Sequence, residues 1–563
     1  MKSTEQSDRL VLGPVLRHVD ETTAAVWVEV AERSDVSARI GDRSWSCPTF
    51  AVHGHHYALV EVTGLEPGSC SDYTVAVDGT QVWPPADSSF PPSQIRTLGP
   101  DRPLRIAYGS CRTSVPHDAE GNKKHGVDVL RAYALRMAGG GHEDWPDLVL
   151  LLGDQVYADE TSDAMRKFIA SRRDIDQPPG GELKDYHEYA HLYSLAWSDP
   201  ANRWLFSTLP TAMIFDDHDV RDDWNTSHTW RVDMAKTSWW QDRIVGALAS
   251  YWVYQHLGNL SPADRAEDPM WQHVLAARET PDTDLGELLD RFADRANTSP
   301  DSYRWSYARE LGTSRLVVID SRSARVLEPG SRHMVDAAEV AWLTERMRGD
   351  VDHLILGTSL PYLLPLGLHH LEAWNESVAE GAWGERPSRV GEKIRQAVDL
   401  EHWAAFQKSF REIAGLVTSI ADGERGRAPA SILFLSGDVH FSYLAEVERN
   451  RPGSRILQAV CSPIRNSMPR AVRAAQSTTS SAVAVSVGSF LSRRAKVPAP
   501  PFSWDLLQGP WFDNSLATLE ARGRDLTLWW ECAEIADQAT QRPELRRVCE
   551  VALPDERATR VPA

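Results

Sequence analysis

From residue 104 onward the chain repeats one pattern, a short and almost wholly apolar run that stops at a polar cluster. Residues 104–108 run into Gly109-Ser110-Cys111-Arg112, and residues 148–152 into Gly153-Asp154-Gln155-Val156-Tyr157-Ala158-Asp159. Residues 212–215 run into Asp216-Asp217-His218-Asp219, and residues 432–435 into Ser436-Gly437-Asp438-Val439-His440. Strands covered on both faces lose the alternation of half-buried ones, so these runs predict buried strands of a layered α/β domain. Residues 315–319 and 353–356 are two more of the same kind. Helical patterns lie between them, notably over 230–256, where Trp239, Trp240, Tyr251 and Trp252 recur at helix-like spacing. Aromatic stripes of that sort pack a core more often than they present a substrate platform.

One hydrophobic core organises about 250–300 residues at most, so a chain of 563 residues predicts at least two domains. Residues 1–98 supply the first, an all-β sandwich with its linker. The segments 24–30, 57–62 and 73–77 are β-branched and aromatic with turn residues between them. Val62-Thr63-Gly64-Leu65-Glu66-Pro67-Gly68 followed by Tyr73 resembles the loop and aromatic corner of fibronectin-type sandwiches. The Pro- and Ser-rich stretch 83–92 reads as a semi-rigid linker. The second domain then spans 99–563, with an exposed Ser/Ala-rich loop over 474–486 and, at its edge, a hairpin of 515–521 with 525–531.

Charge narrows the partners. Lys and Arg number 60 against 79 Asp and Glu, a formal charge of −19, and no continuous basic run offsets it. Such a chain is repelled by duplex nucleic acid and by anionic bilayers, so neither is expected as a partner. A phosphate-handling site in it must draw positive charge from metal cations. No apolar run reaches the roughly 18 residues of a membrane helix, and the first ten residues carry neither a secretory stretch nor paired arginines, which predicts a cytoplasmic protein. Six cysteines, at 47, 70, 111, 461, 532 and 549, form no CxxC cluster and read as free thiols.

Gathering Asp154, Asp217 and Asp438 at one mouth is costly unless cations sit between the carboxylates. Carboxylate, imidazole, phenol and thiol are all competent ligands. The glycines before Asp154 and Asp438 permit a sharp turn and a close approach. Such a mouth suits two cations roughly 3.5–4 Å apart that clamp the oxygens of a phosphoryl transfer. Each motif alone has a blander reading: Gly-Asp begins turns, Asp-Asp-His-Asp fits a helix N-terminus, and Cys111 fits a buried small hydrophobe. Four of them in order, each closing a buried strand, point to metal.

The same series, with Asp222, Asp223 and Asn225 after the third motif and Asp320-Ser321-Arg322 between the third and fourth, resembles the alkaline phosphatase D (PhoD-like) branch of the calcineurin-like metallophosphoesterases. The N-terminal β-module resembles that family's N-terminal domain. The resemblance implies a four-layer α/β/β/α sandwich, two mixed sheets flanked by helices, preceded here by the fibronectin-like all-β domain. It implies Fe3+ held by Cys111, Tyr157, Asp154 and His440, since thiolate and phenolate suit a trivalent or borderline ion. A second cation, Ca2+ or another divalent ion, shares Asp154 and takes Asp217 and Asp438, an oxygen set fit for a hard cation. The implied activity is hydrolysis of phosphate esters of the phosphodiesterase or alkaline phosphatase type. In the implied mechanism a metal-bound hydroxide attacks, with His218 as proton donor to the leaving group or as transition-state stabiliser.

Arg112 and Arg322, with Arg325 behind them, are candidate phosphate clamps because guanidinium forks match phosphate oxygens, with salt bridging as the blander reading. Asn225 is expected to bond phosphate or a metal-bound water, and Asp159, Asp219 and Asp222 to orient ligands. Ordinary calcineurin-like enzymes open with Asp-x-His and carry a further His before the last motif. Cys111 and Gly357-Thr358-Ser359 stand at those places, as in the PhoD-like branch. The twin-arginine signal of secreted members is absent, which argues against external phosphate scavenging. Two alternatives remain at this level: a phosphomonoesterase of narrow intracellular specificity, and a non-catalytic binding protein with a silent metal site.

Overall fold

The structure is a computed structural model and describes residues 9–100, 102–280, 283–468, 473 and 482–555. Apart from Leu104, Arg105 and Arg315 at strand starts, which are half-buried, every residue of the apolar runs is buried, yet their side chains still alternate between two cores. Leu316, Val318, Ile355, Leu433, Leu435, Leu457 and Ala459 fill one, while Val317, Ile319, Leu354, Leu356, Ile432, Phe434 and Ile456 fill the other. That period of two is the pleat of a strand covered on both faces. The first core lies against a facing sheet. The second lies under helices Ala337–Arg346 and Gln407–Ala421, which supply Leu343, Phe410, Ile413 and Val417. The layers are therefore helix, sheet, sheet, helix.

One sheet runs in the order Thr211–Ile214, Leu148–Leu152, Leu104–Gly109, Ser515–Arg522, Asp525–Asp537, Arg542–Leu553. Its first three strands are parallel and the rest antiparallel. The facing sheet runs Tyr307–Leu311, Ser314–Ile319, His353–Thr358, Ser431–Ser436, Arg455–Val460, Ser442–Val447, Trp504–Trp511. Its three central pairings, which join the four strands from Ser314–Ile319 to Arg455–Val460, are parallel. The predicted hairpin after residue 500 is present, but Ser515–Arg522 pairs with Leu104–Gly109 in mid-sheet and is not an edge. The predicted loop 474–486 falls partly outside the described residues, and from Ala482 the chain is helical to Arg494.

The N-terminal residues form two four-stranded sheets, Leu10–Val19, Thr23–Val30, His55–Thr63, Phe50–Val52 and Arg43–Pro48, Asp35–Ile40, Thr74–Val77, Thr80–Trp83. Val26, Val28, Val60 and Val75 pack between them. The opposite face of the first sheet joins the main core instead: Trp27 lies 6.3 Å from Trp197 and 5.2 Å from Tyr254, ring centre to ring centre. The hydroxyl of Tyr73, read from sequence as closing a corner within its own sandwich, donates to the Ser207 carbonyl at 2.6 Å. The Pro-rich stretch is strapped down, with Phe90 stacked 5.6 Å from Trp204 and Trp204 Nε1 donating to Pro91 O at 2.8 Å. Trp239, Trp240, Tyr251 and Trp252 are all buried, so the aromatic stripe is core. Within it the helix Trp240–Tyr251 continues into a wider turn over Trp252–His256.

Arg17 crosses this junction fully buried. It donates to Thr211 Oγ1 at 2.8 Å, to Asn259 Oδ1 at 3.2 Å and to the Gln255 carbonyl. Burial, helped by Arg309, pulls its pKa down to about 9. Gly258 makes room for it: an added Cβ would lie 1.9 Å from Arg17 Nε. Gly258→Ala is expected to cost about 2 kcal/mol in urea denaturation, and that cost should vanish in an Arg17→Ala background; equal costs in both backgrounds would refute the packing account.

Candidate metal centre

Parallel register sets which residues meet. Gly109 pairs with Leu151 and Leu152 with Ile214, so the C-terminal ends of three neighbouring strands deliver Cys111, Asp154 and Asp216 to one rim. On the facing sheet Ser431–Ser436 delivers Asp438 to the same rim. Backbone bonds lace the loops together: Cys111 N donates to Gly153 O at 3.2 Å, Arg112 N to Asp154 O at 3.0 Å and Gly437 N to Ser359 O at 2.9 Å. Gly437 lets the two sheets touch, since a Cβ there would lie 1.9 Å from Ser110 Oγ.

The backbone at the rim is held in the left-handed region at non-glycine residues. Cys111 has φ 57°, Asp154 51°, Asp438 65° and His440 56°, with Asp223 at 65° and Asn225 at 60°. Each such residue costs about 1 kcal/mol or more, and structures keep them where side chains must be aimed.

What they aim is mutually repulsive. One carboxylate oxygen from each of Asp154, Asp216 and Asp217 lies within 4.8 Å of the others, all three residues buried. Asp154 Oδ1 and Asp216 Oδ2 are buried without a hydrogen-bond donor, and Asp217 Oδ1 makes no hydrogen bond, meeting only the Arg322 guanidinium at 3.2 Å. Burial above all, then Asp216, Asp217 and Asp219 against the pull of His218, drives the Asp154 carboxyl well above the usual range. Burial likewise raises Asp216 and Asp217, although Arg322 opposes it in both. Orphaned acceptors on adjacent buried carboxylates are the arrangement a cation satisfies. Outside them stands a second tier, in which burial and neighbouring acids push Asp223 up to about 9, Asp399 to about 7 and Asp222 to about 6.

The softer donors surround this group. Cys111 Sγ sits 3.7 Å from the Asp438 carbonyl, 3.1 Å from Ser110 Oγ and 3.4 Å from Ser462 Oγ. Burial, then Asp154 and Asp438, drives its thiol pKa well up. Tyr157 feels the Cys111 and Asp154 charges, and its ring centre lies 4.6 Å from that of His218. Burial outweighs Asp438 and brings His440 down to about 4, which keeps its imidazole neutral with a lone pair for a metal. Asp438 itself is pulled down to about 2: burial works against ionisation, but His402 Nε2 bonds its Oδ2 at 2.8 Å. The other ring nitrogen of His402 bonds Glu372 Oε1 at 2.6 Å, fixing the imidazole.

His218 is held by Asp159, whose carboxylate oxygens lie 2.9 and 3.0 Å from Nδ1. Burial alone disfavours the imidazolium, but Asp159, Asp217 and Asp154 outweigh it and raise His218 well above the histidine range. Asp159 also accepts from Asp222 N at 2.6 Å. Asp219 ties the loops: it accepts from Asp154 N at 2.9 Å, Asp216 N at 2.9 Å and Val156 N at 3.3 Å.

The arginines expected as phosphate clamps have other partners. Arg112 is closed onto Asp128, Nε at 3.1 Å and Nη2 at 2.8 Å, with Nη1 donating to Ala196 O at 2.9 Å. Arg322, fully buried, pairs with Asp216, with Glu401 Oε1 at 2.5 Å and with Asp217 Oδ1 at 3.2 Å. Arg325 pairs with Glu401 Oε2 at 3.2 Å and donates to Asn225 O at 3.0 Å. An acidic rim needs internal counter-charge before it needs a substrate clamp, and these guanidinium groups supply it. The Asn225 amide donates to Arg322 O at 3.1 Å, a brace for the loop and not a free donor. Asp216, Glu372, Glu401 and His402 were missed by sequence reasoning. Asp216 stood beside the aspartate that was chosen. The Glu401-His402 pair, flanked by Leu400 and Trp403-Ala404-Ala405-Phe406, was the available signal, because charge inside an apolar stretch marks a buried polar pair.

With known proteins the chain compares as follows. The family described as PhoD-like phosphatase matches residues 131–489. A domain of unknown function, DUF7800, matches residues 7–95. Curated proteins give no match. A solved structure titled "Structure of PhoD" superposes with a TM-score of 0.58 at 12% identity, covering 98% of this chain and 91% of that one, a likeness of fold. The type III pullulan hydrolase from Thermococcus kodakarensis aligns at a TM-score of only 0.15 and carries no argument.

The repulsion has a thermodynamic consequence. Asp154→Asn is expected to stabilise chelator-treated protein by on the order of 1 kcal/mol at neutral pH, and to abolish the rise in melting temperature that divalent cations give the parent. Since the folded-state pKa of Asp154 is raised, the gain should fade as pH falls toward the ordinary carboxylate range. Loss of stability in the metal-free variant, measured by calorimetry, would refute the repulsion account.

Proposed function

The chain belongs to the PhoD-like phosphatase family and is a phosphoric ester hydrolase, and from that premise we propose that it works through two cations held at the rim just described. The observation that carries this reading is the pair of orphaned buried oxygens on Asp154 and Asp216, clustered with a carboxylate oxygen of Asp217. Asp154 would be shared, one cation taking Cys111, Tyr157 and His440, the other Asp216 or Asp217 with Asp438. Thiol, phenol and neutral imidazole suit a trivalent or borderline ion such as Fe3+, and an all-oxygen set suits Ca2+. Bound there, the cations supply Lewis acidity toward a phosphoryl oxygen and a water.

The chain's own residues do the rest. Asp159 occupies Nδ1 of His218 and holds the ring as imidazolium, leaving Nε2–H to give its proton to the departing oxygen. His402, braced by Glu372, keeps Asp438 ionised and aimed. Arg322 offsets the acids from a guanidinium anchored on Asp216 and Glu401, with one nitrogen 3.2 Å from Asp217 Oδ1.

A groove of about 1080 Å³ leads away from Asp159, walled by His117, His125, Arg166 and Ser198. A phosphate monoester needs little beyond the metal rim, so room on this scale favours a diester whose second alcohol lies along the groove. A panel of aryl phosphate monoesters and diesters tests it: the diester should be turned over with the higher kcat/KM, and the reverse order would favour the monoesterase reading.

Asp159→Asn should lower kcat roughly 100-fold and move the basic limb of the pH–rate profile to lower pH, because the residue that keeps His218 protonated is gone. An unmoved basic limb would remove His218 from the acid role. Undiminished hydrolysis of an aryl phosphate diester by Asp154→Asn protein would sink the metal-centre reading altogether.

A further inference from the structure

Helix Ala482–Arg494 turns its apolar side outward. Its inner side is fixed against helix Leu366–Ala379: a Cβ added to Gly488 would lie 2.9 Å from His370 Cβ, and Ser492 Oγ donates to His370 O at 2.7 Å. The Ser377 hydroxyl donates to Ala495 O at 2.7 Å just beyond the helix end. On the outer side Val483, Val487 and Phe490 are 72%, 53% and 52% exposed, among the most exposed large apolar residues described. Their spacing stacks them in one stripe. The stripe continues to Trp383, 41% exposed, whose Nε1 donates to Arg494 O at 3.2 Å.

The surround is basic. Arg493, Arg494 and Lys496 close the helix, and Arg386, Arg389 and Lys393 follow Trp383 on helix Glu385–Ala397, all of them exposed. Arg494 lies over the Phe490 ring at 5.2 Å. Of the acids in that second helix, Glu392 is already paired with Arg395 at 3.0 Å. In a chain of net charge −19 this is a local inversion of sign, assembled from two segments far apart in sequence. No continuous basic run in the sequence marks it, because its charges come together only in the fold.

We propose that this face, the Val483–Val487–Phe490 stripe with Trp383 and its arginines, docks on an anionic phospholipid bilayer. The chemistry matches an interfacial helix: apolar side chains enter the boundary between headgroups and acyl chains, cations meet the lipid phosphates, and a tryptophan sits at headgroup level. A convex ridge of four apolar residues falls short of the roughly 800 Å² per partner that a stable protein interface buries. The acidic remainder of the chain is repelled by the same surface, so docking is confined to this face and fixes the orientation of the molecule. The helix that carries the ridge packs on the helix bearing Glu372, the brace of His402.

Sedimentation with vesicles tests this independently of any catalysis. The full chain should pellet with vesicles of phosphatidylcholine mixed with phosphatidylglycerol, not with phosphatidylcholine alone, and salt should release it. Arg493→Gln with Arg494→Gln should weaken binding roughly thirtyfold, and Val487→Ser with Phe490→Ser by at least about tenfold. Both double variants should keep the parent's melting temperature and its turnover of a soluble aryl phosphate ester. The proposal is overturned by no binding of the parent at low salt, by equal binding to neutral vesicles, by variants that bind as the parent does, or by a patch that instead drives self-association.

Discussion

Repulsion among buried carboxylates organises this molecule. Asp154, Asp216 and Asp217 meet with acceptor oxygens unsatisfied, and Asp438 and Glu401 stand close by. A folded chain tolerates such a concentration only if positive charge is built into its walls. Arg322 and Arg325 are that charge, sealed from solvent and shared between Asp216, Asp217 and Glu401. The compensation is incomplete, as the raised carboxyl pKa values record. That residual deficit attracts cations and distinguishes a binding site from a salt-bridged core.

Strain works with charge here. Four of the six side chains expected from sequence to hold metal, those of Cys111, Asp154, Asp438 and His440, hang from left-handed backbone. The parallel strands bring the loops to one place, but a loop alone leaves side chains free to splay outward. Backbone bonds such as Arg112 N to Asp154 O, and the three amides gathered by Asp219, keep the unfavourable dihedrals in force. The fold thereby resists relaxation of the acids away from one another.

Much of this was legible in the sequence, and the remainder failed for identifiable reasons. Buried strands announce themselves as apolar runs, and a motif at the end of such a run inherits its position from the register. The gathering of Cys111, Asp154 and Asp217 at one rim followed from that, whereas the four-layer sandwich was what the family resemblance implied. Ion pairing is decided by tertiary approach and leaves no local trace, which is why Arg112 and Arg322 read as substrate clamps when Asp128 and Glu401 hold them. His402 reaches Asp438 from a segment with no strand end to mark it. The hairpin 515–522 and 525–537 read correctly as a pair, but pairing of its first strand with Leu104–Gly109 depends on residues more than half the chain away.

The N-terminal sandwich shares the outer face of its first sheet with the catalytic half. Trp27 and Tyr57 pack against Trp197 and Tyr254, Tyr73 bonds Ser207, and Arg17 ends among Thr211, Gln255 and Asn259. Neither half has a finished exterior where they meet. A catalytic half inherited without its front partner would carry a greasy wound there, ringed by stranded carbonyls. A chain without the module would have to rewrite that seam in the same step, or cover it with something else.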